Sequence, residues 1–292
     1  MTGYGFQGMV NDLGRVLMRR PGRSPIQADQ EKWRYGPTFD GETAVRQYGE
    51  FAKFIETSGA EILWFEDSGD GLADAMSTHD PSLMTGHGAI ILRMGKTFRN
   101  GETALHEAAY DKASIPVIGR IEAPGTVEGG DCIWLDPTTL VVGRGVRSNA
   151  NGISQLAGML GTYGIRVLSY YLPLWQGEEA CLHLMPVMSP LAHDIALVFA
   201  PLLPAPFYQL LKERGVRLIE APADEFHASN GLSLNVLPVR PKEVIMVAGF
   251  PKTQAAMEAV GCRVSVFEAS ALCIACEGGP TCLTRPILRK AA

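Results

Sequence analysis

Three of the six cysteines in this chain lie close together near its C-terminal end. The segment CIACEGGPTC places Cys273, Cys276 and Cys282 within ten positions. Such a cluster can bind zinc, form a redox pair or supply one nucleophilic thiol. A structural zinc site uses four ligands, and the sequence has no second CxxC motif and no HxxxH motif to complete a tetrahedron. A redox CxxC is expected to open a helix after an early strand, whereas Glu-Gly-Gly-Pro follows this one. We therefore predict neither a metal nor a cofactor.

Cys282 differs from the other two cysteines because Gly278, Gly279 and Pro280 precede it. Glycines allow the backbone to turn sharply and to approach a ligand closely, so a thiol on this turn can point into a cavity. A reactive thiol also needs a base or acid nearby and surroundings that favour the thiolate. The alternative for Cys282, and our interpretation of the other two, is a small buried hydrophobic residue.

The six histidines are the candidates for a proton-transferring partner. His183 lies in CLHLMPVM, residues 181–188, which we predict to be a strand; a histidine there is either buried with a partner or faces a cleft. His106 is predicted to lie on the exposed face of a helix. His193 is predicted to lie in a turn.

Carboxylates beside glycine or proline form another candidate group. Glu128 and Asp131 flank two glycines in EGGD, where a carboxylate either reaches an active site or lies exposed in a hairpin. Asp80 precedes a proline in THDP. Each of these motifs is short, and none identifies a function by itself.

Short strands alternate with helices along the chain. Apolar, β-branched runs bounded by Gly, Pro, Asp or Asn predict strands at 61–66, 88–94, 131–136, 139–143, 165–172, 181–188, 194–200, 216–222, 233–240, 243–249 and 263–269. Helix-period segments predict helices at 43–59, 102–114, 148–164, 205–215 and 253–261. Four of these helices end in a glycine placed as a helix-terminating residue.

Each of the five predicted helices leads into a strand, and the helices recur roughly every 50 to 60 residues. This spacing indicates repeated supersecondary units. No low-complexity linker divides the chain, so we predict one pseudo-symmetric α/β domain that covers residues 1–292 rather than two unrelated halves.

Composition excludes some classes of partner. The formal net charge is −5 and the basic residues are scattered, whereas phosphate binding needs clustered Lys and Arg, so nucleic acid is not predicted as a partner. The longest apolar runs are broken by Pro201 and Pro204 and fall short of the roughly 20 residues that span a bilayer, so no membrane contact is predicted. No secretion signal is visible, and we predict a cytoplasmic protein with reduced thiols. A homo-oligomer is compatible with the sequence.

In chain order, THDP, EGGD, HL and GGPTC resemble the motifs of the guanidino-group-modifying superfamily. Its members include arginine and agmatine deiminases, glycine amidinotransferase and dimethylarginine dimethylaminohydrolase. The resemblance covers nearly the whole chain, from GRVLMRRPG at 14–22 to TCLTRPI at 281–287. It implies a five-fold pseudosymmetric α/β propeller of ββαβ-type units, the pentein fold, around a central active site.

The resemblance also implies roles for individual residues. Cys282 matches the nucleophile, His183 the general acid and base, and Glu128 the carboxylate that holds this histidine. Asp80 resembles the acid that binds the substrate guanidinium.

Further residues are implied at the substrate. Arg147 corresponds to an arginine that receives a substrate carboxylate. Arg93 is a second candidate for that contact, with Arg120 and Arg144 as alternatives, and Asp131 is a further candidate for substrate binding.

One departure from the family bears on the substrate. In the deiminases and amidinotransferases an Asp lies two positions after the histidine, and here that position is Met185. Half of the bidentate recognition of an unsubstituted guanidinium would be missing. Met185 either forms an apolar wall against substituent methyls or packs within its own strand. THDP, however, is closer to the TRDP form of the deiminases.

The resemblance therefore implies a hydrolase that acts on a small guanidino compound, with dimethylarginine or another N-substituted arginine as the first candidate. The product would be a ureido compound such as citrulline, formed through a covalent amidino intermediate on Cys282. The alternatives are an arginine deiminase, an amidinotransferase and a non-catalytic guanidine-binding propeller.

Overall fold

The structure is a computed structural model that describes residues 3–5, 7–65, 71–177 and 182–291. Within these residues the strands are β1 (Leu13–Met18), β2 (Glu61–Trp64), β3 (Ser82–Thr85), β4 (Gly88–Ile91), β5 (Val117–Arg120), β6 (Cys132–Asp136), β7 (Thr139–Arg144), β8 (Arg166–Tyr171), β9 (Met188–Ala192), β10 (Ile195–Val198), β11 (Arg217–Glu220), β12 (Leu237–Arg240), β13 (Glu243–Val247), β14 (Arg263–Phe267) and β15 (Arg285–Arg289). The α-helices are α1 (Arg23–Ile26), α2 (Gln30–Trp33), α3 (Gly41–Thr57), α4 (Glu102–Lys112), α5 (Ala150–Gly161), α6 (Ala205–Glu213), α7 (Ala223–Ala228) and α8 (Pro251–Glu258).

The described strands form five sheets of three strands each, in the orders β15-β1-β2, β3-β4-β5, β6-β7-β8, β9-β10-β11 and β12-β13-β14. In every sheet the first two strands pair antiparallel and the last two pair parallel. A helix connects each parallel pair, as a crossover connection requires. These helices are α3, α4, α5, α6 and α8. The result is a mixed α/β fold with a repeated ββαβ unit.

The first sheet differs from the others because its outer strand comes from the far end of the chain. β15 pairs with β1, so that Leu17 lies opposite Arg285 and Leu13 opposite Arg289. The chain therefore completes its first sheet only with its last strand.

Local sequence signals explain where the crossover helices begin and end. The side chains of Asp40 and Asn149 accept hydrogen bonds from the backbone N–H groups of Thr43 and Gly152, at 2.8 and 2.9 Å, and so cap α3 and α5. The four glycines predicted to terminate helices all have left-handed backbone conformations: Gly59, Gly164, Gly215 and Gly261.

The long helices are held to their sheets by apolar side chains. In α3, Tyr48, Phe51 and Ile55 are almost completely buried, and the ring of Phe51 stacks on Phe267 of β14 with centroids 5.0 Å apart. Burying one such side chain contributes roughly 1.5–3 kcal/mol. Apolar packing of α3 thus connects the first sheet to the last one.

The structure confirms the five predicted crossover helices and corrects two other predictions. The strand predicted at 181–188 is wrong, because Met185–Val187 is a 3₁₀ helix with a proline inside and the strand begins at Met188; residue 181 lies outside the described residues. His106 is buried rather than exposed, and its Nδ1 lies 2.9 Å from the hydroxyl of Ser82.

In the described part of the chain, none of the helices combines the length and the apolar character that a bilayer crossing needs. His193 lies in a turn, as predicted.

Candidate active site

The segments that lead into the first strand of each unit carry the side chains of the site. Cys282 precedes β15, Asp80 precedes β3 and Glu128 precedes β6. His183 precedes β9, and Asn235 precedes β12. Each ββαβ unit thus contributes one side chain from the segment two to five residues before its first strand.

Cys282 lies on a turn that Asn235 holds in place. The amide Nδ2 of Asn235 donates to Cys282 Sγ at 3.0 Å, and its Oδ1 accepts from the backbone N–H of Thr281 at 3.0 Å. A Cβ on Gly279 would lie 2.3 Å from the Asn235 side chain, so only glycine permits this approach. The GGP turn therefore places an amide donor on the sulfur.

The groups around Cys282 shift the pKa of its thiol in opposite directions. Burial raises the pKa of the Cys282 thiol, and the negative charge of Asp80 raises it further. The hydrogen bond from Asn235 and the nearby His183 lower this pKa, but they do not outweigh the first two effects. In the absence of a bound cation, the Cys282 thiol is therefore mainly protonated at neutral pH.

His183 and Glu128 form a hydrogen-bonded pair. His183 Nε2 lies 2.8 Å from Glu128 Oε2, and the glutamate is fully buried while the histidine keeps some exposure. The carboxylate accepts a hydrogen bond from Nε2–H, which fixes the orientation of the imidazole ring. A Cβ on Gly130 would lie 2.7 Å from His183 Nδ1, so this glycine leaves room for the imidazole.

Glu128 is held in its ionised form by several donors. Its Oε1 accepts from the backbone N–H groups of Gly95 and Lys96 at 2.9 and 3.1 Å, and Arg147 Nη1 lies 3.3 Å from both carboxylate oxygens. Burial alone would raise the pKa of Glu128, but the hydrogen bond and charge of His183, together with Arg147, lower it to about 2. Glu128 therefore stays ionised and can stabilise a protonated His183.

Asp131 supports the segment that carries His183. Its Oδ1 accepts from the backbone N–H of Leu184 at 3.0 Å, and its Oδ2 accepts from the hydroxyl of Ser148 at 2.6 Å. That hydroxyl also accepts from the N–H of Glu128 at 3.1 Å. Asp131 is completely buried, which excludes the exposed-hairpin alternative, and burial raises its pKa to about 6. This geometry favours a positioning role over direct contact with a substrate.

Asp80 is a buried carboxylate with two engaged oxygens. Its Oδ2 accepts from Arg99 Nη1 at 2.7 Å and its Oδ1 from the N–H of Gly130 at 2.9 Å. Burial alone would raise the pKa of Asp80, but Arg99 and then His183 hold it well below its usual range. Asp80 is therefore a permanent negative charge beside His183.

Arg99 is itself fixed by a second carboxylate. Its Nε and Nη2 donate to the two oxygens of Glu102 at 2.9 and 2.8 Å, and Nη2 also donates to Ser77 O. Burial raises the pKa of Glu102 to about 7, which Arg99 partly counteracts. This bidentate pair keeps the guanidinium of Arg99 directed at Asp80.

The four sequence motifs contact one another directly. His79 of THDP donates its backbone N–H to Cys282 O at 3.1 Å, and its Nδ1 lies 2.9 Å from Thr284 O. Asp80 O accepts from the N–H of Gly129 in EGGD at 3.0 Å. Glu128 then reaches His183, so the predicted catalytic and guanidinium-binding side chains lie together.

The predicted arginines have different positions. Arg147 lies at the site through its contact with Glu128, as described above. Arg93 Nη1 instead donates to Gly125 O at 3.3 Å, and none of its described side-chain hydrogen bonds reaches the His183–Glu128 pair. Arg120 pairs with Glu107. The guanidinium of Arg144 lies over the ring of Tyr171.

Sequence reasoning missed Asn235, Arg99 and Glu102. It also missed Asp74, whose carboxylate accepts from Lys96 Nζ at 2.6 Å and from the Tyr35 hydroxyl at 3.2 Å. The recurrence of a side chain of the site in the segment before the first strand of each unit is the one signal that would have indicated Asn235.

One group of side chains in the described residues could hold a metal by donor type. Asp80, Glu128 and His183 each offer one ligand atom, and these atoms lie within 4.8 Å of one another. The carboxylate oxygens are already engaged by Arg99, by Arg147 and by backbone N–H groups. An organic cation with N–H donors fits this arrangement of acceptors at least as well as a metal ion.

Comparison with known proteins agrees with this geometry. The family model described as arginine deiminase matches residues 70–206. Over 269 residues, which are 92% of this chain and 97% of the relative, the chain is 28% identical to N(G),N(G)-dimethylarginine dimethylaminohydrolase from Pseudomonas aeruginosa. Both matches are to enzymes that act on guanidino groups, as the motifs of this chain predict. The resemblance found in its motifs is thereby confirmed.

Solved structures of this superfamily superpose on nearly the whole chain. A cysteine-to-serine variant of the Pseudomonas aeruginosa dimethylarginine dimethylaminohydrolase, complexed with citrulline, is 25% identical, with a TM-score of 0.75 and coverage of 94% of this chain and 98% of that one. An amidinotransferase from Microseira wollei is 18% identical with a TM-score of 0.80, covers 99% of this chain and 98% of that one, and shows the shared fold alone.

Proposed function

We propose that this protein is a hydrolase that converts the guanidino group of dimethylarginine, or of a closely related N-substituted arginine, to the ureido group of citrulline. The observation that carries the proposal is the direct contact of His183 with Glu128 at 2.8 Å, beside Cys282 and the buried anion Asp80. The similarity to dimethylarginine dimethylaminohydrolases over most of both chains supports the same activity.

Asp80 is proposed to bind the substrate guanidinium. Arg99 keeps it ionised, and it lies close enough to Cys282 to affect the pKa of the thiol. A guanidinium bound at Asp80 would cancel the charge that raises this pKa. Substrate binding would therefore increase the thiolate fraction at the moment when the nucleophile is needed.

The reaction then follows from the residues present. Cys282 Sγ attacks the guanidinium carbon, and His183 delivers a proton to the departing nitrogen, so that the C–N bond breaks and an amine leaves. The remaining amidino group is bonded to Cys282 as a thioether. His183 next accepts a proton from water, whose oxygen attacks the same carbon, and collapse of the adduct releases the ureido product and the free thiol. Glu128 stabilises the protonated imidazole in the first step.

Met185 supports an N-substituted substrate. It replaces the second acidic residue of the deiminases, and its side chain is buried in the apolar core. The remaining nitrogens of an unsubstituted guanidinium would lack a charged acceptor on this side, which favours a substrate whose nitrogen carries methyl groups. Whether Met185 contacts those methyls stays a prediction.

Arg147 is proposed to receive the substrate carboxylate, and Arg93 is retained as a second candidate. Arg147 lies at the site, while Arg93 would need to leave Gly125 O to reach a ligand. We propose a positioning role for Asp131 through Leu184 and Ser148 in place of a substrate contact.

We also propose that the five sheets are the blades of an α/β propeller and that residues 1–292 form one domain. The equivalent placement of one site residue before each first strand supports this arrangement. A cytoplasmic location, catalysis without a cofactor and a homo-oligomeric assembly stay predictions from the sequence.

The direct test is to incubate the protein and its Cys282→Ser variant with arginine, agmatine, monomethylarginine and dimethylarginine. Ureido product is measured by colorimetry and released amine by mass spectrometry. Dimethylamine release that disappears in the variant supports the proposal. Ammonia release from arginine would instead identify a deiminase. Transfer of the amidino group to an added amine would identify an amidinotransferase. Binding without turnover would leave a guanidine-binding protein.

A further inference from the structure

A cavity lies along the first strands of the five units, and its wall also includes His79, Met185 and Thr281 from the segments that carry the site. Its volume is about 40 Å³, which is room for about three water-sized particles. Every one of the strands β3, β6, β9, β12 and β15 contributes to its wall. Most of the wall is apolar, including Leu83, Trp134, Met185, Met188 and Val236.

Two arginines of β15 also line this cavity. Arg285 and Arg289 are only 5% and 3% exposed. Among the described residues neither arginine has a carboxylate within 4.0 Å. This sets them apart from Arg99, which contacts two carboxylates.

The hydrogen bonds of these two arginines are to neutral groups. Arg285 Nη2 donates to His79 O, and Arg285 Nε is buried without a partner in the described residues. Arg289 donates to Asn11 O at 2.6 Å and to Pro238 O at 2.9 Å. Carbonyl oxygens satisfy N–H donors, but they do not neutralise a full positive charge.

Burial without a counter-charge is costly for a guanidinium. Burial lowers the pKa of Arg285 and lowers that of Arg289 to about 9, and it outweighs the opposing charges of Asp80 on Arg285 and of Asp12 on Arg289, neither of which forms an ion pair with these arginines. Buried charges in proteins are normally paired, and a buried donor left without a partner destabilises the folded state. Two cations that face one small cavity therefore call for a negative charge inside it.

We propose that this cavity binds a small monovalent anion, of the size of chloride or formate, against Arg285 and Arg289. The volume excludes an amino-acid carboxylate with its side chain, and the apolar remainder of the wall favours a weakly hydrated ion over phosphate. The site is distinct from the proposed guanidinium site, where buried carboxylates select a cation. The proposal does not depend on the activity of the protein.

The first experiment compares thermal unfolding in sodium chloride, sodium formate and sodium gluconate at equal ionic strength. Gluconate is too large for the cavity and serves as the reference anion. We expect chloride and formate to raise Tm in a saturable way, by about 5 °C at concentrations far above Kd. This increase in Tm should disappear in the Arg285→Met variant. It should be retained in Arg263→Met, a control at an exposed arginine of β14. Equal Tm in all three salts, or an increment that survives in Arg285→Met, would overturn the proposal.

Crystals of the wild-type protein soaked in sodium bromide provide a measurement that does not need the variant to fold. An anomalous peak within hydrogen-bond distance of Arg285 Nε supports the anion site. Water alone in the cavity, or bromide only at the outer surface, would show that solvent satisfies these arginines instead.

Discussion

At the scale of single residues, the contact between Asn235 and Cys282 bears most directly on reactivity. The amide donates to the sulfur at 3.0 Å and lowers the pKa of the thiol, against the effects of burial and of Asp80. A hydrogen bond to a charged group contributes about 1.5–3 kcal/mol. We therefore expect Asn235→Ala to reduce kcat about 10- to 100-fold. The pH dependence of kcat should also shift to higher pH, which steady-state kinetics between pH 6 and 10 would measure.

Two variants separate this effect from a general disturbance of the turn. Asn235→Asp keeps the acceptor for the N–H of Thr281 but replaces the amide donor with a negative charge beside the sulfur, so its loss of activity should be at least as large. Asn151→Ala removes an exposed amide that bonds only to Gln155 and should leave the kinetics unchanged. An unaltered pH profile in both Asn235 variants would limit this residue to a structural role.

The raised pKa of Cys282 leads to a second prediction at the residue scale. Because burial and Asp80 raise this pKa, a smaller fraction of the thiol is ionised at neutral pH than in an ordinary cysteine. We expect alkylation of the ligand-free protein by iodoacetamide to be slow at pH 7 and to increase with pH beyond the range in which a free cysteine has reached its plateau. The Cys282→Ser variant measures the background from other thiols. A plateau below pH 8 would contradict this prediction.

At the scale of elements, the sequence predicted the crossover helices well because their signals are local. Apolar periodicity and terminal glycines mark α3, α5, α6 and α8 within a few residues. The strands β1, β3 and β15 were not predicted from patterning. β1 and β15 pair with each other from opposite ends of the chain, as Leu17 with Arg285, and β3 has only four residues. The short helices α1, α2 and α7 lack enough turns for a periodic pattern.

The N-terminus of α5 connects an element to the site. Asn149 Oδ1 accepts from the N–H groups of Gly152 and Thr126, and its Nδ2 donates to Pro124 O at 2.8 Å. Asn149 thereby fixes the loop that leads into Glu128. Loss of a helix cap costs about 0.5–2 kcal/mol. We expect Asn149→Ala to lower the free energy of unfolding by about this amount and to reduce kcat several-fold, as measured by urea unfolding and by kinetics.

The matched control is Asp40→Ala at the N-terminus of α3. Its carboxylate caps α3 through the N–H of Thr43 at 2.8 Å, and this cap does not involve the loop before Glu128. The control should lose a similar amount of stability and keep its kcat. Equal losses of activity in the two variants would mean that α5 positions Glu128 no more than any other helix does.

At the scale of the whole molecule, the site depends on contacts between units that no local pattern reveals. The motif resemblance identified Cys282, His183, Glu128 and Asp80, because short motifs in a fixed order carry that information. The contact of Asn235 with the GGPTC turn joins positions 47 residues apart and could not be read from either segment alone. The same applies to the anchoring of Asp80 by Arg99, since neither residue lies in a motif that contains the other.

The pairing of the last strand with the first sheet leads to the final prediction. β15 carries fully buried Ile287 and supplies the antiparallel partner of β1, so its removal would expose one side of that sheet. We expect a chain that ends at Thr284 to lose both its cooperative unfolding transition and its activity, although it retains Cys282. Removal of residues 291 and 292 alone should change neither property. Urea unfolding followed by circular dichroism and by activity provides the measurement. If the chain ending at Thr284 still unfolds cooperatively with native activity, the first sheet does not need its C-terminal strand, and the proposal that residues 1–292 form one domain fails with it.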